Sequence, residues 1–366
     1  MLHLLFIKLI PVFPAFNVFT YITFRAALAA MTSLGISIVL GPWMIRKLKV
    51  LKVGQQIRKE HVDDLHQIHQ YKAGTPTMGG LLIISSVTFA TLLWANISNR
   101  LIIVALICMV WLGAVGFLDD FIKMRKQRSL GLTAKLKFTA QIILGLALGI
   151  YLCMNPVSRQ HGTDVALLFF KNIYISLGWI YVLFVLLIIV GTSNAVNLTD
   201  GLDGLAIGSV IMAALAYTGM AYLVGRSDFA QYLFVTYVVG AGELTILCAA
   251  IVGAGLGFLW YNAHPADVFM GDTGALALGG ALGTVAILIK QELLLVVVGG
   301  LFVLEAMSVI IQVLSFKLRG GKRVFKMAPL HHHFELSGWS ETKVTIRFWI
   351  IAAIFALLSL STLKVR

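Results

Sequence analysis

Ten apolar stretches, each close to the length that crosses a bilayer, constrain this chain more than any other feature. A helix needs about 20 apolar residues to span the hydrocarbon core; here 59% of residues are hydrophobic and only 12% are charged. The stretches predict an all-α polytopic membrane protein with about ten transmembrane helices, built as a single integral membrane domain over residues 1–366. They are 20–42, 78–97, 101–118, 136–154, 173–191, 204–223, 241–261, 273–289, 293–316 and 345–363.

Basic residues are concentrated in three loops and predict the orientation. Nineteen of the 29 Lys and Arg residues fall at 43–76, 119–137 and 317–343, after the first, third and ninth stretches. Cytoplasmic loops carry the excess of positive charge, so we expect these loops in the cytoplasm and both termini in the periplasm. The net charge of +13 is then a topology signal and an attraction for anionic membrane lipids or substrates. Basic residues at a membrane surface without interleaved aromatic residues do not indicate nucleic-acid binding.

Several functional classes lack support in the sequence. Cys108, Cys153 and Cys248 all lie in apolar stretches without CxxC spacing, so we expect neither a disulfide framework nor a zinc ribbon. The chain has no phosphate-binding loop of the ATPase type and no nucleophile elbow. No internal repeat is evident, which weakens the case for an inverted-repeat transporter. The candidate chemistry therefore lies in polar residues at the ends of the spans.

Acidic residues gather at the predicted cytoplasmic ends of the spans. Asp119 and Asp120 follow the third stretch, and adjacent helical residues diverge by about 100°, so we expect two roles rather than a shared one. Asp272 lies between glycines near the start of the eighth stretch, where a lone Asp is usually an N-cap. Acids at the edge of a span are costly enough to be functional candidates. Because several such acids come from distant loops on one side, simple capping is the weaker explanation.

A run of amides and carboxylates precedes the sixth stretch. Asn194, Asn197, Asp200 and Asp203 recur at every third position, a spacing that keeps neighbours on nearly one face of a helix. Gly201, within the run, would let a ligand approach the backbone closely. These side chains could bind a base or a sugar, hold a metal, or form only a polar turn that caps the next span.

A histidine run lies in the third basic loop. His331 to His333 are consecutive and have no partner Cys, so they cannot all point at one zinc ion. Imidazoles beside Lys and Arg suit phosphate oxygens better. Gly320 and Gly321 should end the ninth helix and let residues 322–341 fold back over the cytoplasmic face.

Four strings in the chain resemble a known family of membrane transferases. They are Gly-Phe-Leu-Asp119-Asp120, Asn197-Leu-Thr-Asp200-Gly-Leu-Asp203-Gly-Leu, Val268-Phe-Met-Gly-Asp272 and Met327-Ala-Pro-Leu-His-His-His-Phe-Glu. The first two are similar to elements of the polyprenyl-phosphate N-acetylhexosamine-1-phosphate transferase superfamily. The last resembles its phospho-N-acetylmuramoyl-pentapeptide transferase branch in particular. The resemblance covers essentially the whole chain.

The resemblance implies a reaction in the bacterial cytoplasmic (inner) membrane. UDP-MurNAc-pentapeptide and undecaprenyl phosphate would give lipid I and UMP with Mg²⁺, the first membrane step of peptidoglycan synthesis, at an active site on the cytoplasmic face. A sibling enzyme that uses UDP-GlcNAc is the nearest alternative. A lipid-linked sugar transporter is more distant, since its charges should reach the bilayer midplane. The sequence leaves open a homodimer, and it does not separate a single displacement from a two-step route through a covalent phosphoryl-enzyme.

The resemblance also implies roles for particular residues. The catalytic positions are Asp119, Asp120 and Asp272, of which Asp272 would bind Mg²⁺. The nucleotide-binding positions are Lys72, Asn197, Asp200, Asp203, Asn262 and Phe269, with Phe269 stacked on uracil. The positions that handle phosphates and the sugar-peptide are Lys123, Lys135, His331, His332 and His333. Asp267 departs from the family, in which we expect an uncharged residue, and we do not expect it to be the metal ligand.

Overall fold

The predicted spans correspond to helices in the computed structural model, which describes residues 1–51, 74–126, 131–170 and 173–365. Among these residues, nine helices are long and apolar enough to cross a membrane, and this confirms the all-α polytopic class. The exception is the predicted span 78–97, which is a helix of 15 residues, Gly80–Trp94. It is shorter than the roughly 20 residues that a simple crossing needs.

The structure contains fourteen α-helices and one small hairpin within the described ranges. In chain order the helices are α1 (Leu2–Leu9), α2 (Ile22–Val50), α3 (Gly80–Trp94), α4 (Arg100–Lys126), α5 (Ala134–Met154), α6 (Tyr181–Thr199), α7 (Leu205–Val224), α8 (Ser227–Leu233), α9 (Leu244–Asn262), α10 (Gly271–Leu288), α11 (Leu295–Val298), α12 (Gly300–Leu318), α13 (Leu330–Glu335) and α14 (Glu341–Val365). Three 3-10 helices cover Pro14–Thr20, Gly178–Ile180 and Ala241–Glu243.

The hairpin occupies residues that the apolar pattern assigned in part to the fifth span. Strands β1 (Asp164–Ala166) and β2 (Tyr174–Ser176) pair antiparallel, with Val165 opposite Ile175. The predicted span began at residue 173, whereas α6 begins at Tyr181. Hydropathy alone does not distinguish a short apolar strand from the first turns of a helix, and here the pairing with β1 decides the conformation.

Two central helices form the core of the bundle. Helix α10 is buried from Thr273 to Leu288; it packs against α4 and α6, while α9 packs against α2 and α7. The outer helices α5 and α14 cover α6 and α7 respectively. Cys108 and Cys248 are buried and, like the half-buried Cys153, carry free thiols, as the sequence predicted.

The segment after α12 folds back along that helix. The helix ends at Leu318, just before the Gly-Gly pair. The side-chain oxygen of Gln312 accepts hydrogen bonds from the backbone N–H groups of Val324 and Phe325, both at 3.0 Å, and its amide nitrogen donates to the Phe325 carbonyl at 2.9 Å. This return, which the sequence predicted, carries the histidine run of α13 back beside α12.

Candidate active site

Three aspartates from two helices converge at one end of the bundle. Asp119 and Asp120 belong to α4, which continues to Lys126 rather than ending at residue 118 as the apolar stretch predicted. Asp272 is the second residue of α10. Each of the three offers a carboxylate oxygen within 4.8 Å of the others. We call these three residues the aspartate cluster.

The close approach of α4 to α10 depends on a glycine. A Cβ placed on Gly116, one helical turn before Asp120, would overlap the backbone carbonyl of Asp272. Any larger residue at this position would separate the two helices. The missing side chain therefore lets the end of α4 lie directly against the first turn of α10.

Asp120 caps α10 from outside that helix. Its Oδ2 accepts hydrogen bonds from the backbone N–H of Thr273 at 2.9 Å and from the Thr273 hydroxyl at 2.7 Å. A carboxylate at a helix N-terminus is favourable because the first N–H groups lack partners within the helix. Because Asp120 supplies this cap, Asp272 is not needed for it. The carboxylate of Asp272 is therefore available to the site.

Asp119 has a different partner from its neighbour. Its Oδ1 accepts a hydrogen bond from the backbone N–H of Leu132 at 2.7 Å, which ties the end of α4 to the chain just before α5. Both Asp119 and Asp120 are almost fully buried. The expectation of two separate roles for the adjacent carboxylates agrees with these contacts.

Two lysines neutralise part of the charge on the cluster. Lys123 Nζ lies 2.5 Å from Asp119 Oδ2 and 2.8 Å from Asp272 Oδ2. Its distance to Asp120 Oδ1 is 3.7 Å. Lys137 Nζ, from α5, lies 3.0 Å from the same Asp272 oxygen. Three carboxylates thus face two ammonium groups, so the cluster keeps an excess of negative charge.

The sequence singled out Lys135 and missed Lys137. The Lys135 side chain is exposed, whereas that of Lys137 is 16% exposed and contacts Asp272. Side chains two residues apart on a helix are rotated by about 200° from each other. Lys135 and Lys137 therefore cannot face the aspartates at the same time. The helical phase of α5 was the signal that could have found Lys137. The predicted role of Lys135 with phosphates stays a prediction.

The aspartate cluster has the donor set that a hard divalent cation needs. Mg²⁺ usually takes one or two carboxylates together with phosphate oxygens and water. Asp272 fits because its Oδ2 already attracts two ammonium groups. Asp119 Oδ2 contacts the flexible Lys123, whereas Asp120 Oδ2 accepts the two hydrogen bonds from Thr273 that cap α10. Displacing a lysine leaves that cap intact, so the cluster could hold a metal through Asp272 and Asp119 more readily than through Asp120.

The amide and carboxylate run does not form one helical face. Helix α6 ends at Thr199, so Asn194 and Asn197 belong to the helix, whereas Asp200 and Asp203 lie in the turn beyond it. Asn194 donates to the side-chain oxygen of Gln141 at 2.8 Å, within the bundle. Asn197 is half-buried in the last turn, where its carbonyl accepts from the backbone N–H of Asp200 at 3.4 Å.

Asp200 borders the aspartate cluster. Burial, together with the nearby carboxylates of Asp272 and Asp120, raises the pKa of Asp200 to about 7. A carboxyl group with such neighbours gains its charge only against their repulsion. A cation at this end of the bundle would therefore favour the charged form of Asp200.

Asp203 belongs to a second group, which we call the histidine–carboxylate cluster: Asp203, His264 and Glu341. Asp203 Oδ2 lies 3.0 Å from His264 Nδ1. The backbone N–H of Asp203 donates to Glu341 Oε1 at 2.8 Å, and His264 Nδ1 lies 3.6 Å from the other Glu341 oxygen. These contacts join the turn before α7 to the start of α14. Sequence reasoning did not identify Glu341.

Asn262 and Phe269 frame the loop before α10. The Asn262 side chain accepts from the backbone N–H of Gly204 at 3.1 Å and donates to the Val268 carbonyl at 2.8 Å. The half-buried Phe269 donates its backbone N–H to the Pro76 carbonyl at 2.8 Å. Asp203, Asn262 and Phe269 thus have structural contacts. Their predicted binding of a nucleotide stays a prediction.

Lys72 and Asp267 are the remaining positions that the sequence analysis singled out. Lys72 lies outside the described residues. Asp267 is exposed and lies outside both clusters found in the described part of the chain. The expectation that Asp267 is not the metal ligand stays a prediction.

The three histidines of α13 have three different partners. Consecutive helical side chains diverge, and the sequence predicted that they could not share one ion. The pairs are His331 Nδ1 with Glu305 Oε2 at 3.1 Å, His332 Nδ1 with Glu335 Oε2 at 2.8 Å, and His333 Nδ1 with the backbone N–H of Lys326 at 3.1 Å. Sequence reasoning missed Glu305, although an acid inside the ninth apolar stretch was the available signal.

Comparisons with known proteins agree with the resemblance. The family model of glycosyl transferase family 4 matches residues 102–290, and phospho-N-acetylmuramoyl-pentapeptide-transferase signature 1 matches residues 72–84. The phospho-N-acetylmuramoyl-pentapeptide-transferase of Desulfatibacillum aliphaticivorans is 56% identical over 345 residues, 93% of each chain. Those of Methylacidiphilum infernorum and Desulforapulum autotrophicum are 54% and 53% identical over 344 residues, 93% of this chain and 94% and 93% of theirs.

Proposed function

The chain belongs to the phospho-N-acetylmuramoyl-pentapeptide-transferase family, and from this premise we propose its reaction. It transfers phospho-MurNAc-pentapeptide from UDP-MurNAc-pentapeptide to undecaprenyl phosphate, giving lipid I and UMP. The observation that carries the proposal is the aspartate cluster, which faces two lysines at one end of a multi-pass bundle. We place this end at the cytoplasmic face of the bacterial inner membrane, where both substrates have access to it.

The charges of the cluster suit a reaction between two phosphates. Lys123 and Lys137 would bind phosphate oxygens once these compete with Asp272 for the ammonium groups. Asp272 and Asp119 would hold Mg²⁺, which when bound neutralises the diphosphate and stabilises the leaving phosphate. The residues of the chain thus orient two anions that would otherwise repel each other.

A single displacement needs little acid–base help from the protein. The second pKa of a phosphate monoester is about 6, so the lipid phosphate is largely ionised at neutral pH. One of its oxygens attacks the β-phosphorus of the nucleotide sugar. The bond from that phosphorus to the bridging oxygen breaks, and UMP leaves with the electron pair. Asp119 then positions the lipid phosphate or accepts a residual proton.

The contacts of Asp119 favour this route over a covalent intermediate. Its Oδ1 accepts from the Leu132 N–H and its Oδ2 contacts Lys123, and both contacts make these oxygens weaker nucleophiles. Incubation with UDP-MurNAc-pentapeptide and no lipid acceptor tests the point. A phospho-MurNAc-pentapeptide adduct on Asp119, detected by mass spectrometry, would replace the single displacement with a two-step route.

The decisive experiment for the function is a substrate comparison. Purified protein in detergent receives undecaprenyl phosphate, Mg²⁺ and either UDP-MurNAc-pentapeptide or UDP-GlcNAc, and UMP release is followed. We expect UMP only with the muramoyl substrate, and none after EDTA is added. Release with UDP-GlcNAc alone would assign the chain to the sibling activity. Release with neither substrate, from a folded sample, would reject the transferase function.

A further inference from the structure

We propose that Glu305 is a positioning residue for the transfer reaction and acts through His331. The inference rests on the proposed function. Glu305 lies in α12 with no exposed surface, and its Oε2 is 3.1 Å from His331 Nδ1. Its other oxygen, Oε1, has no hydrogen-bond partner among the described residues.

A carboxylate buried in a membrane helix requires compensation. Acids within a span are costly unless they are paired, and breaking such a pair leaves an uncompensated charge. An ionised Glu305 only accepts hydrogen bonds, so His331 donates to it through Nδ1. The remaining ring nitrogen, Nε2, is then the atom of His331 that can contact a ligand.

The position of Nε2 connects this pair to the candidate active site. A Cβ placed on Gly201 would overlap His331 Nε2, so Nε2 lies where a side chain at that position would point. The preceding residue is Asp200, which borders the aspartate cluster. Nε2 itself is buried and has no hydrogen-bond partner among the described residues. Because Gly201 carries no side chain, the His331 ring can lie directly against this turn, and its unsatisfied Nε2 is the atom that would form a hydrogen bond with an oxygen of the phosphorylated sugar bound there.

The role of Glu305 follows from its charge. A carboxylate on Nδ1 fixes the orientation and the tautomer of an imidazole, as seen with the outer partners of functional histidines. Nε2 is then the ring atom that bonds to the nucleotide sugar: it accepts from a sugar hydroxyl in the neutral ring and donates to a phosphate oxygen in the protonated ring. The adjacent His332 ring, 4.2 Å from that of His331, has its own partner in Glu335. The Glu305 charge therefore acts on His331 in particular.

The first test removes the negative charge of Glu305 and keeps the shape of its side chain. In Glu305→Gln the side-chain oxygen can still accept from Nδ1, so the fold should be retained. We expect kcat for UMP release to fall by about 10–100-fold, the range for loss of an outer partner, while KM for UDP-MurNAc-pentapeptide and the affinity for UMP stay unchanged. Glu292→Gln, which removes an equally buried carboxylate charge near Lys290, is the matched control and should keep kcat. A Glu305→Gln variant with the wild-type kcat would overturn the inference.

A double-mutant cycle tests the coupling through the melting temperature as well as through kcat. His331→Ala leaves Glu305 buried without its partner, so the melting temperature should fall. Adding Glu305→Gln to His331→Ala should recover part of that loss, and it should reduce kcat no further. Additive effects on both quantities would show that the two residues act independently. An inactive wild-type protein would reject the proposed function instead, while the melting temperatures would still report on the pair.

Discussion

The two ends of the bundle differ in how their buried charges are balanced. At one end Arg25 of α2 forms a bidentate pair with Glu243, at 2.8 and 2.7 Å, and the Asn96 N–H donates to the same carboxylate at 2.8 Å. One guanidinium balances one carboxylate there. At the other end three aspartates share two ammonium groups. Of these, the Lys123 side chain is 34% exposed, against 3% for Arg25.

The difference lies in charge balance and mobility, since both groups are buried. A pair whose two charges balance has little remaining attraction for another ion. Lys290 and Glu292 follow the same pattern, at 3.0 Å and each 1% exposed. The aspartate cluster keeps a negative excess, and its lysines end long flexible chains that can exchange a carboxylate for a phosphate. This excess supports the proposal that the cluster is a binding site rather than a structural ion pair.

The largest expected effect follows from removing the charge of Asp272. Asp272→Asn keeps the shape of the side chain but removes the oxygen charge that attracts both lysines. We expect UMP release to fall by at least about 10³-fold, the upper range for loss of one electrostatic contact to a transition state. Mg²⁺ should raise the melting temperature of the wild type and not that of the variant. Activity near the wild-type level at ordinary Mg²⁺ concentrations would remove Asp272 from the proposed metal site.

A substitution in the balanced Arg25–Glu243 pair should lower the stability of the protein and leave its turnover unchanged. Glu243→Gln leaves Arg25 buried without a counter-charge, which should lower the free energy of unfolding by about 3–5 kcal/mol. Turnover per folded molecule should be retained, because the pair lies at the opposite end of the bundle from the aspartates. Denaturation in detergent gives the first quantity and UMP release the second. A selective loss of turnover with unchanged stability would contradict the distinction between the two ends.

The two lysines of α5 offer a smaller and well-matched comparison. Lys137→Ala removes an ammonium group that lies 3.0 Å from Asp272, and we expect kcat to fall by about 100-fold. Lys135→Ala removes the same group from an exposed position two residues away, and its effect should be much weaker. An equal fall in kcat for the two variants would mean that both lysines reach the phosphates when substrate is bound.

The sequence predicted the spans well because about 20 consecutive apolar residues leave few alternatives to a membrane helix. It predicted Asp119, Asp120 and Asp272 through their position at the edges of spans. It could not predict that Asp120 caps α10, or that Glu305 meets His331, because these contacts join residues that are far apart in the chain. It also did not single out Lys137, whose contact with Asp272 depends on the helical phase of α5; the predicted role of Lys135 stays untested.

The smallest expected effect concerns a residue beside the aspartate cluster that carries no charge. Phe269 is half-buried, and its carbonyl accepts from the Gly79 N–H at 2.9 Å, so its backbone position does not depend on its ring. If the ring stacks on uracil, Phe269→Ala should weaken UMP binding by about 1–3 kcal/mol, as for other base–aromatic contacts. The Mg²⁺-dependent rise in melting temperature should persist, because the aspartates are untouched. Unchanged UMP affinity, measured by calorimetry, would leave Phe269 with a packing role alone and would confine the nucleotide contacts to the polar residues near α6.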